Sequence, residues 1–471
     1  MAPKFGTSGL RGLVVELTPE LVAAHVAAFA SACPIGTGLF VGQDLRPSSP
    51  RIAADVIAAA RALGLAVTDC GALPTPALAL AAMTAGAAAI MVTGSHIPAD
   101  RNGLKFYLPT GEISKADEAA ILAALGTAGP STQPEGPVFT APAAGIDYVT
   151  RYVTAFGPEA LSGLRLGIYE HSSVARDLLG RLVAALGAEV VPLARSEQFI
   201  PVDTEAVDPE LRAELRQWCA AHRLDGVLST DGDADRPLLT DATGAVVPGD
   251  VLGVLTAQAL GAEGVCTPIS SNSMVCALPG FAEVSLTKIG SPFVIAAMET
   301  ALAKNPAAKV VGFEANGGFL LGFAATGPAG PLPQLMTRDA FLPLVAPLAA
   351  ARAAGQSLAQ AVAALPPRFT AADRLTETPT EASAALLARL AAEPEARAAF
   401  LTPMGAEAAL DLTDGLRMTL ADGRIVHLRP SGNAPEFRVY AEAESEKAAL
   451  SLLKTALARV RDALTKPQEL V

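Results

Sequence analysis

Short apolar segments alternate along most of the chain with longer, alanine-rich segments of helical length. Gly38–Gly42 and Leu65–Thr68 are two such apolar segments, and Ser49–Leu63 between them has the composition of a helix. The same order recurs further along, where Arg165–Tyr169 and Glu189–Leu193 flank another helical stretch. Because parallel strands need a crossover connection, usually a helix, this alternation predicts parallel sheets in an α/β protein.

Glycine- and proline-rich stretches divide this pattern. The 471 residues exceed what one hydrophobic core normally organises, so we expect three or four domains. Residues 126–142 form one predicted linker, and Pro248-Gly249 and Pro366-Pro367 mark two further junctions. The expected domains are residues 1–142, 143–248, 249–366 and 367–471.

Charge and composition exclude several classes of protein. A net charge of −12 argues against a general nucleic-acid-binding or anionic-membrane surface, so an anionic substrate needs a locally basic pocket. The apolar stretches Ala77–Val92 and Phe341–Ala364 are too short or too interrupted to predict a membrane span. Five scattered cysteines without CxxC spacing and an N-terminus without a signal-peptide pattern lead us to expect a cytoplasmic protein.

A candidate reactive loop, residues 93–98, follows the apolar run Ala87–Val92. Ser95 and His96 are adjacent in it, at the carboxyl end of a predicted buried strand, where open α/β sheets place their chemistry. The alternative is a simple strand-to-loop turn with a polar tip. The polar and glycine-rich stretch at 99–105 favours the reactive loop, because it shows no apolar periodicity.

A second candidate site is an acidic loop after the predicted strand Asp225–Thr230. Asp231, Asp233 and Asp235 alternate with small residues, and such crowding is repulsive unless a cation lies among the carboxylates. Hard oxygen ligands without a following glutamate favour Mg²⁺ over an EF-hand calcium site. The alternative is a solvated acidic turn. We expect Arg236, which follows, to face a phosphate or a neighbouring carboxylate.

Two other segments have the composition of anion sites. The glycine-rich stretch Phe5–Gly12 contains Arg11, whose guanidinium can bind phosphate oxygens in a forked geometry. Lys288 precedes a Gly-Ser helix start, where backbone N–H groups favour an anion. A flexible turn and a surface lysine, respectively, are the alternatives.

Two predicted loops carry groups that suit a sugar phosphate. Glu314 and Asn316, two residues apart, point to the same side if the segment is extended, and together they suit sugar hydroxyls; an Asn-Gly hairpin turn is the alternative. The loop after the predicted strand Ile425–Leu428 offers hydrogen-bond donors that can surround a phosphate. Those donors are Arg429, Ser431, Asn433 and Arg438. The alternative is a polar hairpin between two strands.

Five of these segments, in this order, resemble the motifs of the α-D-phosphohexomutases, the family of phosphomannomutase, phosphoglucomutase and phosphoglucosamine mutase. They read GTSGLRG, TGSHIPADRNGLKFY, DGDADR, GFEANGGF and RPSGNAPEFR. The resemblance implies an α/β protein with three similar mixed α/β domains and a smaller C-terminal α+β domain around a central cleft. It also implies Mg²⁺, a hexose phosphate substrate and a hexose 1,6-bisphosphate activator, for a monomer or homodimer.

The resemblance assigns roles to the candidate residues. Ser95 would carry the phosphoryl group and, with Asp231, Asp233 and Asp235, hold the metal. Candidates for proton transfer and charge stabilisation are Arg11, His96 and Lys105. The substrate-binding residues would be Arg236, Lys288, Glu314, Asn316, Arg429, Ser431, Asn433 and Arg438.

The chain departs from the family pattern at two loops. Gly318 stands where many members have a histidine, and Asn433 and Ala434 stand where threonine and glutamate are usual. The amino-acid sequences of the motifs are most similar to those of bacterial phosphomannomutases, followed by phosphoglucomutase and then phosphoglucosamine mutase. A metal-dependent sugar-phosphate phosphatase is the alternative from another class, and a catalytically silent sensor would need a lost nucleophile or ligand.

Overall fold

The computed structural model describes residues 3–6, 9–127, 133–430 and 436–465. Its first unit is a mixed sheet in the order β1-β2-β6-β5-β3-β4-β8, with β7 beside β6. The elements are β1 (Lys4–Phe5), β2 (Leu10–Leu13), α1 (Pro19–Ala32), β3 (Leu39–Gln43), α2 (Ser49–Ala62), β4 (Val67–Ala72), α3 (Thr75–Thr84), β5 (Ala88–Val92), β6 (Arg101–Leu108), β7 (Gly111–Glu112), α4 (Lys115–Ala124) and β8 (Val138–Thr140). The strands β3, β4, β5 and β8 are parallel, as predicted, whereas β6 is antiparallel to β5.

The second and third units are shorter versions of this pattern. The second contains α5 (Ala144–Phe156), β9 (Arg165–Tyr169), α6 (Arg176–Ala185), β10 (Glu189–Leu193), α7 (Pro209–His222), β11 (Gly226–Thr230) and β12 (Pro237–Leu239). The third contains α8 (Gly249–Ala259), β13 (Gly264–Pro268), a 3-10 helix (Ser273–Ala277), β14 (Glu283–Thr287), α9 (Ser291–Lys304), β15 (Val310–Phe313), β16 (Phe319–Leu321), β17 (Ala325–Thr326), β18 (Pro331–Leu332), β19 (Leu335–Asp339), α10 (Phe341–Ala353) and α11 (Leu358–Ala363).

A common strand order relates these three units. The sheets contain β4-β3-β5-β6, β10-β9-β11-β12 and β14-β13-β15-β16, and in each set the last strand is antiparallel to its neighbour. The central strand of each set, β5, β11 or β15, is buried along its whole length. The loops that follow these central strands carry Ser95, the acidic loop and Glu314, so equivalent positions of the three units supply the candidate site.

The last unit is an antiparallel sheet in the order β20-β24-β23-β22-β21, with helices packed on it. Its elements are β20 (Phe369–Leu375), α12 (Thr380–Ala392), α13 (Pro394–Leu401), β21 (Glu407–Asp411), β22 (Leu416–Leu420), β23 (Ile425–Pro430), β24 (Phe437–Ala443) and α14 (Glu446–Thr465). The mixed α/β units and this α+β unit confirm the predicted fold class.

The hydrophobic cores separate the last unit from the others. One core cluster joins the first three units, and it includes Leu78, Tyr152 and Phe341. The side chains of the last unit, such as Phe400 and Phe437, form a cluster of their own. The last unit therefore has a hydrophobic core separate from the one that the first three units share.

The apolar region at residues 341–364 forms α10 and α11 inside the third unit, and α10 is almost entirely buried there. Among the described residues, no helix combines the length and the apolar character that a membrane crossing requires. The five cysteines are free thiols.

Candidate active site

The candidate site begins at Ser95, whose side chain is fully buried just beyond β5. Its backbone has a φ of +54°, in the left-handed region that non-glycine residues seldom adopt. Arg46, itself 1% exposed, donates to the carbonyl oxygens of Ser95, Ile97, Pro98 and Arg101 at 2.8, 2.5, 2.6 and 3.0 Å. These four bonds hold the strained loop in one conformation.

The buried carboxylate of Asp44 holds Arg46 in place. Its Oδ2 lies 3.1 Å from Arg46 Nε and accepts from Thr93 Oγ1, while Oδ1 accepts from Ser49 Oγ. Gly94 leaves room for the guanidinium, because a Cβ there would lie 2.6 Å from Arg46 Cζ. The loop thus depends on a buried ion pair in its own unit.

Ser95 contacts the acidic loop of the second unit. Ser95 Oγ donates to Asp231 Oδ2 at 2.6 Å and lies 3.3 Å from His96 Nδ1. Asp231, Asp233 and Asp235 are each fully buried. The ends of β5 and β11 therefore bring the predicted nucleophile and the predicted metal ligands into contact.

The acidic loop fits a divalent cation. Among the described residues, the Oδ1 atoms of Asp231, Asp233 and Asp235 are buried without a hydrogen-bond partner. One ligand atom from each residue lies within 4.8 Å of the others. Burial, then Asp233 and Asp235, raise the pKa of Asp231 well above its usual range, because burial and two neighbouring carboxylates disfavour its negative charge. Unsatisfied, convergent carboxylate oxygens are the donor set that hard cations prefer.

Lys105 balances the other two carboxylates. Its Nζ donates to Asp233 Oδ2 at 2.5 Å and to Asp235 Oδ2 at 2.6 Å, and Thr75 Oγ1 donates to Asp233 Oδ2 at 2.6 Å. Burial alone would raise the pKa of Asp233, but Lys105 and Thr75 hold it below the usual range. These bonds engage Oδ2 and leave the Oδ1 atoms free for a cation.

His96 is placed as a hydrogen-bond acceptor. Arg236 Nη1 donates to His96 Nδ1 at 2.8 Å, and burial together with Arg236 and Arg11 lowers the pKa of His96 far below its usual value. Arg236 also lies 3.8 Å, Nε to Oδ1, from Asp235, the neighbouring carboxylate that the sequence predicts it to face. Burial and the nearby Arg236 lower the pKa of Arg11 to about 10.

The prediction of an extended segment at Glu314 and Asn316 is wrong. Gly317 N donates to Glu314 O at 2.9 Å, which closes a tight turn between β15 and β16. Gly317, at φ +87°, permits this turn, and Asn316 Oδ1 accepts from Gly318 N within it at 3.0 Å. Both side chains are nevertheless buried at the site, with 5% and 7% exposure.

Arg338 on β19 is a site residue that the sequence analysis does not identify. Its side chain is 3% exposed, and Nη2 lies 3.0 Å from Asp235 Oδ2 while Nη1 lies 3.7 Å from Glu314 Oε2. Its Nε lies 3.6 Å from Glu112 Oε1 in the first unit. The sequence signal is the charged pair Arg338-Asp339 inside an otherwise apolar region.

The phosphate-binding candidates lie at the junction of the third and last units. Arg429 and Arg438 are directly opposite each other on β23 and β24. Arg429 Nε donates to Asp414 Oδ1 at 3.0 Å, and Asp414 Oδ2 accepts from Ile289 N at 2.8 Å. The exposed Lys288, one residue earlier, has its Nζ 6.0 Å from the Phe293 ring centroid. The predicted residues Ser431 and Asn433 lie outside the described residues.

A loop of the second unit also reaches the cleft, and the sequence analysis does not identify it. Thr204 Oγ1 donates to the carbonyl oxygen of Asn316 at 3.0 Å, which ties this loop to the sugar-loop candidate. Glu205, the next residue of this loop, is exposed.

Comparisons with known proteins identify the family of this chain. Residues 2–130 match phosphoglucomutase/phosphomannomutase, alpha/beta/alpha domain I, and residues 376–460 match phosphoglucomutase/phosphomannomutase, C-terminal domain. The chain is 46% identical over 470 residues to a phosphomannomutase from Sinorhizobium fredii, covering 97% of this chain and 98% of the relative. It is 42% identical over 468 residues to a phosphomannomutase from Salmonella muenchen, covering 98% and 96%.

A solved structure has the same fold. A phosphoglucomutase/phosphomannomutase family protein from Burkholderia thailandensis superimposes with a TM-score of 0.76. The match covers 98% of this chain and 97% of that chain, at 21% sequence identity. At that identity the similarity concerns the fold alone.

Proposed function

This chain belongs to the phosphoglucomutase/phosphomannomutase family, and we propose that it interconverts mannose 6-phosphate and mannose 1-phosphate through a phosphorylated Ser95. The relatives that are 46% and 42% identical over nearly the whole chain are both named phosphomannomutase, which supports mannose over glucose or glucosamine phosphates. A hexose 1,6-bisphosphate is the proposed intermediate and activator.

The observation that carries this proposal is the contact between Ser95 and the acidic loop. Ser95 Oγ lies 2.6 Å from Asp231 Oδ2, beside the three buried, unsatisfied Oδ1 atoms. A phosphoryl group on Ser95 would add an oxygen ligand to those three, which is why we include Ser95 in the metal site. When bound, Mg²⁺ would neutralise negative charge on the phosphoryl group.

The proposed reaction consists of two phosphoryl transfers in opposite directions. In the first, a sugar hydroxyl oxygen attacks the phosphorus on Ser95 and the P–Oγ bond breaks. The hydroxyl proton ends on the departing Ser95 Oγ, transferred through one of the candidates Arg11, His96 and Lys105. The bisphosphate then turns over, and its other phosphoryl group returns to Ser95 Oγ. Lys105 and Arg11 would stabilise the charge that develops, and the neutral His96 would accept a hydrogen bond next to Oγ.

We assign substrate recognition to the two ends of the cleft. Glu314 and Asn316 would contact the 3- and 4-hydroxyls, which mannose and glucose share, and Arg236 would bind the transferred phosphate. The distal phosphate must be held in either orientation of the sugar. The proposed residues for it are Lys288, Arg429, Ser431, Asn433 and Arg438.

Further expectations belong to this proposal. The domain boundaries at 142, 248 and 366, a monomeric or homodimeric state and a cytoplasmic location remain predictions. The free thiols are consistent with a reducing compartment.

A single assay distinguishes the mutase from a phosphatase. Purified protein with Mg²⁺ is incubated with mannose 6-phosphate and a trace of mannose 1,6-bisphosphate, and products are followed by ³¹P NMR. We expect mannose 1-phosphate and little inorganic phosphate, with slower conversion of the glucose and glucosamine substrates. Stoichiometric phosphate release would instead support the phosphatase, and faster glucose conversion would overturn the mannose assignment.

A further inference from the structure

We propose that Arg338 is a positioning residue that couples occupancy of the metal site to the orientation of Glu314. In this proposal, cation binding at Asp235 weakens its hold on Arg338, and the guanidinium then moves toward Glu314 and fixes that carboxylate for the sugar. The inference rests on the proposed function, because it uses the proposed metal and sugar sites.

The buried guanidinium of Arg338 lies at unequal distances from two carboxylates. Arg338 lies 3.0 Å from Asp235 Oδ2 but 3.7 Å from Glu314 Oε2. Among the described residues, Glu314 Oε2 is buried without a hydrogen-bond partner. A shift of a few tenths of an ångström would turn this contact into a charge-assisted hydrogen bond. Among the described residues, Arg338 Nη2 is likewise buried without a hydrogen-bond partner, so the guanidinium lies nearer to Asp235 but makes a hydrogen bond to neither carboxylate.

The backbone at Arg338 is held by hydrogen bonds, whereas its guanidinium is not held in the same way. Glu112 Oε1 accepts from Arg338 N at 3.3 Å and from Thr337 Oγ1 at 3.1 Å, and Glu112 Oε2 accepts from Ser291 Oγ at 3.0 Å. These bonds anchor the strand at the first unit. Only the guanidinium can then redistribute between Asp235 and Glu314.

Gly318 leaves space for the side chain of Arg338. A Cβ there would lie 3.0 Å from both Cγ and Cδ of Arg338, and 3.1 Å from the carbonyl oxygen of Asp235. Any side chain at position 318 would therefore press on the Arg338 side chain, which would have to shift by a few tenths of an ångström. Glycine at 318 leaves Arg338 its path between the acidic loop and the sugar loop.

Electrostatics gives the direction of the coupling. Asp235 Oδ2 also accepts a hydrogen bond from Lys105 Nζ at 2.6 Å, so Asp235 keeps a positively charged partner if Arg338 moves away. A divalent cation at Oδ1 would reduce the attraction that Asp235 exerts on Arg338, whereas Glu314 would keep its full charge. Each ligand should therefore strengthen binding of the other, because coupling between sites is reciprocal.

The test is a calorimetric binding cycle in a full-length Ser95→Ala background, which prevents turnover. Mg²⁺ is titrated with and without saturating mannose 1-phosphate, and the sugar phosphate is titrated with and without Mg²⁺. We expect each ligand to tighten the other on the order of tenfold. Adding Arg338→Met should reduce this factor to about one and weaken sugar phosphate binding, while Mg²⁺ alone still binds.

Two further variants keep the test valid if Arg338→Met does not fold. Arg338→Lys keeps the charge but lacks the fork that spans two carboxylates, and Gly318→Ala displaces the guanidinium without removing it. Both variants should lose the coupling between the two ligands, and their melting curves should show that they are folded. Arg195→Met, an arginine with exposed ion pairs on the second unit, serves as the matched control and should keep it.

The outcomes separate this inference from the proposed function. Coupling that persists unchanged in folded Arg338→Lys and Gly318→Ala, or independent binding of the two ligands in the parent, would overturn the inference alone. Failure of both the unsubstituted protein and the Ser95→Ala parent to bind Mg²⁺, or of both to bind the sugar phosphate, would overturn the proposed function.

Discussion

Ser95 Oγ and Asp231 Oδ2 lie 2.6 Å apart, although they are separated by 136 residues and belong to different sheets. The contact arises because β5 and β11 occupy equivalent central positions in two units that share a hydrophobic core. A nucleophile and a cluster of carboxylates that are each local features of the sequence become one site only through this packing.

Removing the hydroxyl of Ser95 should abolish the mutase reaction. In Ser95→Ala the phosphoryl group has no acceptor oxygen, so we expect activity to fall by at least about 10⁴-fold. Circular dichroism should remain unchanged, because alanine fits the same buried space. Intact-mass analysis of the unsubstituted protein should show one labile phosphoryl group, and a fully active alanine variant would contradict the phosphoserine mechanism.

Asp233→Asn should weaken metal binding. The amide offers a weaker ligand and removes one negative charge, so we expect the dissociation constant for Mg²⁺ to rise about tenfold or more. Calorimetry with Mg²⁺ measures this directly, and chelator treatment of the unsubstituted protein should stop turnover reversibly. Full activity after exhaustive chelation would exclude the site.

The loop that carries Ser95 should depend on Arg46. Arg46→Met leaves the buried Asp44 without its counter-charge, and we expect a loss of about 3–5 kcal/mol in unfolding free energy and about a hundredfold loss of activity. Mg²⁺ affinity should change little, because the aspartates belong to the second unit. Chemical denaturation and calorimetry measure the two effects.

The control for this variant is Arg51→Met on α2. Arg51 pairs with Asp55 at 2.8 Å, but its side chain is 45% exposed, so its loss should cost less than about 1 kcal/mol. Equal effects of the two substitutions would show that the buried network does not hold the loop.

We expect the last unit to close on substrate by a hinge near Pro366-Pro367. The last unit has its own core, and Arg429, the proposed phosphate-binding residue, is linked through Asp414 to Ile289 of the third unit. Arg429→Ala should raise KM for the sugar phosphate strongly and reduce closure. Small-angle scattering with and without mannose 1,6-bisphosphate measures closure, and identical profiles together with normal kinetics would rule out a phosphate clamp.

Asp250 should make the stability of the third unit depend on pH. Burial raises its pKa to about 6 from the usual 3.8, so the folded state holds the proton more tightly than the unfolded chain. This contribution is fully present below about pH 4 and is lost as pH rises through 6, in total about 3 kcal/mol. Melting temperatures of the unsubstituted protein relative to Asp250→Asn should therefore fall between pH 4 and 6.5, and a constant difference would contradict this.

Some elements escape the sequence pattern for identifiable reasons. Residues 369–410, where β20, α12 and α13 lie, have a mixed and polar composition, and β20 is mostly exposed. An extended segment is expected at Glu314 and Asn316, but Gly317 permits the tight turn, which is the alternative that the Asn-Gly pair offers. Local backbone preference decided the conformation there.

The site residues that follow a predicted strand are identifiable from the sequence. Ser95 comes after the apolar run Ala87–Val92 and the three aspartates follow the predicted strand Asp225–Thr230, and both patterns are local, so the residues alone identify them. The packing of the units sets which distant groups contact these residues. Arg338 has only the charged pair with Asp339 as a local signal, because its contacts with Asp235 and Glu112 cross between units, and their distances depend on how three sheets pack against one another.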